Sequence, residues 1–578
     1  MKSPPRLPTH VQPSFLAGLT LALLVAVVFA GAVQAPFVFD DIEAIVLNPH
    51  LTNVWPPNAS LWTTEQSPLA GRPLVAFSFA VDHALGGLSP YGYHVVNIAL
   101  HALTACLLFG LLQQLTGRRR TRLAFAAVLL WAVHPLQTEA VTYVVQRTEL
   151  LSSAFMVGCL LFAFRGMASA RPRWWFLLSA LCCLMGVGCK ESAAVAPLLV
   201  LLFDRTVYSG TFRSAWRRHR ALYAGLLSSW VVLAGLMAYS PRSDSVGFDL
   251  GVTTWTWLCT QAEVLTHYLR LAFWPSPLAL SYGWPLAEGL WSVLPFALLI
   301  VGLLAVTVAG LWRRSWWGLA GAWFFVLLAP TSSFVPIVTE VAAERRMYLP
   351  LLALSVLLVV ALDALLNTVG RNVRRQTAEA RPVASDSFWL PIALLAALAG
   401  WGTTKHLDTW RSAETLWRAT AAARPDNPMA HFMLANSLKR DQRNEEALVS
   451  YERALELKPG DFKALLNMGN CQLAALRFEA AEATMRRVVA LFPDVVVPRL
   501  NLAHALFLLD RAPEAIAELE RCIALEPEVV SHRLTLAAML IDLGTGLDEA
   551  RAHLEKACAL APQDSRIQKM LDRVQALP

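Results

Sequence analysis

The first 404 residues are long apolar runs separated by short loops, and this pattern leaves few folds open. A run of about 20 apolar residues matches the hydrocarbon core of a bilayer. Inside lipid every backbone N–H and C=O must bond within the protein, so spans are helices or closed barrels. Runs of this length and continuity predict helices. The chain is 56% hydrophobic and 16% charged over 578 residues, with 20 Trp, which is too apolar for a soluble protein of this size. Eleven spans are predicted, at about 15–34, 94–115, 122–137, 147–165, 174–189, 192–204, 221–239, 289–311, 316–331, 349–366 and 387–404. The expected class is all-α, a polytopic helix bundle at 1–404.

Orientation follows from Lys and Arg in short loops. The clusters are Lys2/Arg6, Arg118 to Arg122, Arg165/Arg171/Arg173, Arg205 to Arg220, Arg313/Arg314 and Arg371 to Arg381. Every second loop is basic, and those loops are expected in the cytosol. Segment 254–275 is apolar enough to span. Counting it, however, puts Arg313/Arg314 outside and reverses every later loop. Glu263, His267 and Arg270 also fall on one helical stripe, so the segment reads as an amphipathic or re-entrant helix on the outer face. The parity leaves everything after residue 404 outside the cytosol. Lys2 and Arg6 before an apolar run also fit a signal peptide ending at "AVQA". Pro36 in the first mature position and the length of the run favour an uncleaved anchor.

Beyond residue 404 the pattern becomes polar and periodic. Prolines 425, 459, 493 and 527 are 34 residues apart, and Pro562 follows at 35, with Gly544-Thr545-Gly546 holding the extra residue. This is the period of the tetratricopeptide repeat. Ala435, Gly469, Ala503 and Ala537 recur where a first helix needs a small residue, as do Ala447, Ala481, Ala515 and Ala550 in the second. Tyr451, Phe478 and Phe507 are expected between helices. Region 405–578 is therefore read as an α-solenoid of four full repeats, preceded by a helix around 410–423, with a concave face. Residues 409–578 hold 21 Lys+Arg and 23 Asp+Glu, and the remainder holds 28 and 19. The basic balance thus belongs to the membrane part and gives no reason to expect nucleic acid. Nine cysteines, none in CxxC spacing, favour neither a disulfide framework nor zinc.

Ionisable residues gather at outer-face depths. They are Asp40, Asp41, Glu65, Arg72, Asp82, His83, His94, His134, Glu139, Arg147, Glu149, Lys190, Glu191, Glu340, Glu344, Arg345 and Arg346. The asymmetry implies a cavity open to the outside. Ionisable groups at a bilayer are by default functional candidates. Asp40 and Asp41 follow the first span directly in "FVFDDIEAIVLNPHL", and two acids exceed what a helix cap needs. His94, Asn97 and His101 are spaced as one helical stripe, as are Glu139, Tyr143 and Arg147. Structural roles stand beside the functional ones. His101 and Asn97 suit interhelical hydrogen bonds. Lys190 with Glu191, and Glu344 with Arg345, suit ion pairs. His134-Pro135 suits the end of the third span.

"FVFDDIEAIVLNPHL", "GRPLVAFSFAVDHALGGLSPYGYHVVNIALHAL", "HPLQTEAVTYVVQRTELLSSAF", "CKESAAVAPLLVLLFD" and "AERRMYLPLLAL" occur in this order, with the repeats after them. Together they resemble the transmembrane and tetratricopeptide repeat-containing (TMTC) proteins, which are similar to protein O-mannosyltransferases of the C-type glycosyltransferase fold. The array of four repeats is shorter than those of the animal members. The resemblance implies a membrane transferase moving a sugar, by likeness mannose, from a polyprenyl-phosphate donor to Ser/Thr hydroxyls of exported proteins. It also implies that Asp40-Asp41 carries the activity. The chemistry fits: an attacking hydroxyl needs a carboxylate base, and a departing lipid phosphate needs cations or a divalent metal. Arg72, Lys190, Arg345 and Arg346 suit the phosphate, Arg345 best for its bidentate geometry. His94, His134, Glu139, Glu191 and Glu344 are accessory polar candidates. The repeats are expected to select the acceptor, and the membrane to be a bacterial plasma membrane or an endoplasmic reticulum. The alternatives are a membrane-anchored scaffold whose repeats recruit a partner, and a lipid-linked-sugar transporter.

Overall fold

The structure is a computed structural model that describes residues 12–52, 54–55, 67–117, 120–239, 247, 251–376 and 388–575. Glu65, and the loop arginines at 118–119 and 377–387, lie outside the described residues. Every regular element among those described is helical. The chain divides into two compact units, Met1–Ala423 and Arg424–Pro578.

Each of the eleven predicted spans contains helix. Six described helices are long and apolar enough to cross a membrane, and a seventh forms if Thr121–Ala132 and Pro135–Thr142, bent by 59°, count as one span. Other predicted spans hold shorter apolar helices, such as Pro172–Val187 and Trp316–Leu328. Thr254–Phe273 is not among the helices that pass. Burial separates the spans by role. In its most apolar 18-residue stretch Val144–Ala168 is 72% buried, whereas that stretch of Leu290–Trp312 is 22% buried, and Leu298 and Val301 are exposed. An apolar surface of that kind suits lipid.

Local signals set the ends. Pro73, Pro90 and Pro172 open helices at the position where a missing N–H costs nothing. The Ser315 hydroxyl accepts the Gly318 N–H and caps Trp316–Leu328. A Cβ at Gly318 would stand 2.3 Å from the Gly310 carbonyl carbon, so the tight hairpin between these two helices requires glycine.

The second unit is four helix pairs, Pro428–Arg440 with Asn444–Leu457 through Val530–Leu543 with Leu547–Leu560, closed by Ser565–Gln575. The small residues at 435, 469, 503 and 537, and at 447, 481, 515 and 550, are all buried. Tyr451 is buried and donates to Asn436 Oδ1 at 2.6 Å. Gly544 and Gly546, at φ 65° and 67°, take up the extra residue of the last repeat. The helix Ala413–Ala423, which sequence spacing attaches to the repeats, lies within the first unit.

Candidate active site

The loop after the first apolar helix holds its two aspartates in different environments. Phe39, just before them, sits at φ 47°, an uncommon conformation for a bulky residue, and its ring packs edge-on against Trp417 at 5.5 Å. Asp41 is fully buried. Its Oδ2 accepts the Val38 N–H at 3.1 Å, and its Oδ1 accepts the Val145 N–H at 2.8 Å. Burial pushes Asp41 up to about 8, against the pull of those two N–H groups toward the charged form. Asp40 is half-buried. Its main-chain N–H donates to the Tyr143 hydroxyl at 3.0 Å. Burial raises the Asp40 carboxyl above its ordinary value, while the Tyr143 hydroxyl and Arg345 stabilise the anion. Asp41 is tied to the loop backbone, whereas the Asp40 side chain stays partly accessible.

Tyr143 reaches Asp40 because the expected Glu139–Tyr143–Arg147 stripe does not form. The helix Thr138–Thr142 stops at Tyr143, which is extended at ψ 109°. The next long helix starts at Arg147. The break turns Tyr143 toward the acidic loop, Glu139 toward Arg345 and Arg147 toward Asp82. Arg147 is fully buried, pairs with Asp82 at 2.6 Å, donates to Asn97 Oδ1 at 2.8 Å and to the Tyr93 carbonyl at 2.9 Å, and lies over the Phe79 ring.

Arg345 is held on both sides. Its guanidinium pairs with Glu139 and Glu340, and its main-chain N–H donates to Glu139 Oε2 at 2.8 Å. Burial opposes the charge, but Glu340 and Glu139 outweigh it, so Arg345 titrates well above its ordinary value. Burial likewise opposes ionisation of Glu340, but Arg345 and Arg346 hold it below the usual carboxylate range. Lys190 pairs with Glu149, and Arg72 with Glu191 at 3.3 Å. Burial pulls the Lys190 ammonium below its ordinary value, with Glu149 opposing. The neighbours Lys190 and Glu191 therefore choose different partners, because Lys190 is extended where Glu191 begins a 3-10 turn.

Other candidates bond to the surrounding backbone and side chains. Arg346 donates to the carbonyls of Glu340 and Val341 and is mostly buried. Glu344 does not pair with Arg345; its Oε1 accepts the Ala279 N–H at 2.7 Å and the Tyr282 hydroxyl at 2.8 Å. Burial, with Glu139 nearby, pushes Glu344 up to about 8. His94 bonds the Ala35 carbonyl at 2.9 Å. His134 Nδ1 accepts the Leu136 N–H, which leaves Nε2 to donate to the Ala272 carbonyl at 3.1 Å. His101 links the Ala132 carbonyl and the Tyr348 hydroxyl.

Sequence reasoning missed Trp410 and Trp417, which follow the last apolar helix. Trp410 packs on Tyr143 at 6.1 Å between ring centroids. With Glu139, Glu344, His406, Thr409 and Thr420 it lines a small cleft. Two tryptophans placed before a repeat array were the available signal. Among the described residues no three His, Cys, Asp or Glu side chains converge as a metal site.

Models of the tetratricopeptide repeat match residues 408–461 and 438–506. Human protein O-mannosyl-transferase TMTC1 is 27% identical over 527 residues, covering 79% of this chain and 56% of that protein. Mouse protein O-mannosyl-transferase TMTC4 is 29% identical over 512 residues, covering 77% and 66%. The chain resembles the TMTC proteins over more than three quarters of its length. It spans between 56% and 66% of the length of these curated relatives. Among solved structures, ArnT from Cupriavidus metallidurans bound to undecaprenyl phosphate aligns at a TM-score of 0.39 and 15% identity, over 84% of this chain and 81% of that one.

Proposed function

We propose that this chain is a membrane glycosyltransferase that moves a sugar from a polyprenyl-phosphate donor to Ser or Thr hydroxyls of exported proteins. The sugar is mannose by likeness to the relatives. The observation that carries the reading is the half-buried Asp40 carboxylate at the mouth of the first apolar helix, beside Tyr143 and in the field of Arg345. In this reaction Asp40 takes the hydroxyl proton as the oxygen attacks the anomeric carbon. The bond from that carbon to the phosphate oxygen breaks, and polyprenyl phosphate departs. Asp41 positions the loop. A placed carboxylate base contributes roughly 10²–10⁴-fold.

Arg345, Lys190 and Arg72 receive the phosphate, and Arg346 holds the loop that carries Arg345. These cations are already paired with acids, so a phosphate must share or displace a carboxylate. Glu340, 30% exposed, is the partner easiest to displace from Arg345. A single anchor for a scaffold needs no such interior set of paired charges. The reading places 35–51 and the repeats on the non-cytosolic side, with the repeats selecting the acceptor polypeptide.

Asp40→Asn, assayed with a polyprenyl-phosphate-linked sugar and a Ser/Thr peptide, should lower transfer at least 10²-fold while insertion and folding stay normal. Undiminished transfer would remove the assignment. For the repeats, a chain ended after Ala423 should keep donor binding and lose transfer to the natural protein acceptor. Equal transfer to that acceptor by both forms would assign the repeats another role.

A further inference from the structure

Asp40 is not held by its own loop alone. Tyr143 is 1% exposed, and its hydroxyl oxygen accepts the Asp40 main-chain N–H at 3.0 Å. A phenol that accepts one hydrogen bond still has one to give. The Asp40 carboxyl lies close by, and the hydroxyl favours its anion. The same hydroxyl thus anchors the Asp40 main chain and favours its carboxylate anion. The anchor is supported from behind. The Tyr143 ring packs on Trp410, and Phe39, in its left-handed conformation, packs on Trp417. Neighbouring Asp41, held by the Val38 and Val145 N–H groups, fixes the far side of the loop. Val145 follows Tyr143 by two residues, so both aspartates are held from one short irregular stretch.

We infer that Tyr143 is the positioning residue of the proposed base, and that its hydroxyl sets the pH range in which Asp40 works. The inference rests on the transferase reading. The groups facing Asp40 are Tyr143 from the broken helix, Arg345 and Glu340 from the loop before Tyr348, and Glu43 and Asp41 from its own segment. Arg345 favours the anion, and Glu340 and Glu43 oppose it. The Tyr143 hydroxyl is the neutral donor among them. Its removal takes stabilisation from the charged form alone and leaves net charge unchanged.

The test is Tyr143→Phe, which keeps the ring against Trp410 and deletes one oxygen. Transfer is measured from pH 5 to 9 in the full chain, with Asp40→Asn in parallel. Hydrogen bonds to charged groups are strong enough to move the titration of a carboxyl by about one to two pH units. The acidic limb of the kcat profile of Tyr143→Phe should therefore move up by that amount. At a pH below the limb, kcat should fall about tenfold for every pH unit the limb has moved, with KM for the donor little changed. A profile and rate identical to the unsubstituted protein would overturn the inference. So would a uniform loss at every pH, since that marks a packing role only. If Asp40→Asn is inactive while Tyr143→Phe is unaffected, only the role of Tyr143 falls. If Asp40→Asn keeps full activity, the transferase site itself has been misassigned.

Discussion

The two units use charge in opposite ways. In the membrane unit, the ion pairs around Arg147, Arg345 and Lys190 are largely buried and join segments far apart in sequence: Arg147 with Asp82, Arg345 with Glu139, Lys190 with Glu149. In the repeats most are exposed and local, as in Arg443 with Glu446 at 40% and 54% exposure, or Arg453 with Glu456. The burial determines what each pair is worth. An exposed pair contributes about 0–1 kcal/mol. Removing one partner of a buried pair costs about 3–5 kcal/mol, because the other charge is stranded. The membrane unit thus ties distant segments together with buried charge, whereas most repeat pairs lie on a solvated surface.

The largest expected effect is that of Arg147→Ala, which strands Asp82 beneath Phe79 and Tyr93. It should cost about 3–5 kcal/mol and sharply lower the yield of folded protein, as seen in thermal denaturation in detergent. Survival with an unchanged melting temperature would break the contrast between the units.

The repeats should be most sensitive to volume. Ala503→Leu inserts bulk where the residue is 1% exposed, and should cost about 1–3 kcal/mol. The transition of the repeat unit should move while donor binding in the membrane unit is retained.

The pH dependence is the next contrast. Glu344 lies outside the spans and is raised from 4.5 to about 8 by burial and Glu139. A raised carboxyl favours the protonated folded state, so its contribution is complete below pH 4.5 and is lost as pH rises to about 8. Asp41 acts with the same sign. The melting temperature of the membrane unit should fall across that window. Glu344→Gln, which can still accept from Ala279 and Tyr282, should flatten the slope. An unaltered slope would mean that Glu344 is ionised in the fold.

The smallest effect belongs to Arg443→Ala, worth less than about 1 kcal/mol and reduced further by salt. A larger loss would show that the surface pairs of the repeats act as a network.

The repeats were legible because their constraint is local and periodic. A small residue is needed at each helix crossing, and Ala435, Gly469, Ala503 and Ala537 are all buried. Helical content in the apolar segments was legible for the same reason. The stripe His94, Asn97 and His101 also formed, since the helix Pro90–Thr116 is unbroken. The partners in the site were not legible. Adjacent Lys190 and Glu191 look like a pair, yet each finds a partner more than forty residues away. Glu139, Tyr143 and Arg147 read as one face, but the backbone breaks at Tyr143 and sends them three ways. No spacing rule contains that break. Nor does any rule assign Trp410 and Trp417 to the acidic loop. The compact unit runs to Ala423, past the end of apolarity at 404, and Trp410 and Trp417 are buried within it.

The central claim is that two adjacent aspartates divide the work, Asp40 reacting and Asp41 holding the loop. The direct measurement compares Asp40→Asn and Asp41→Asn side by side, reading sugar transfer and thermal stability for each. The expected result is a stable Asp40→Asn that has lost transfer at least 10²-fold. Asp41→Asn should have a lowered melting temperature, because an amide places an NH₂ group against one of the two backbone N–H donors. The opposite pattern, with Asp40→Asn active and Asp41→Asn stable but inactive, would contradict the account.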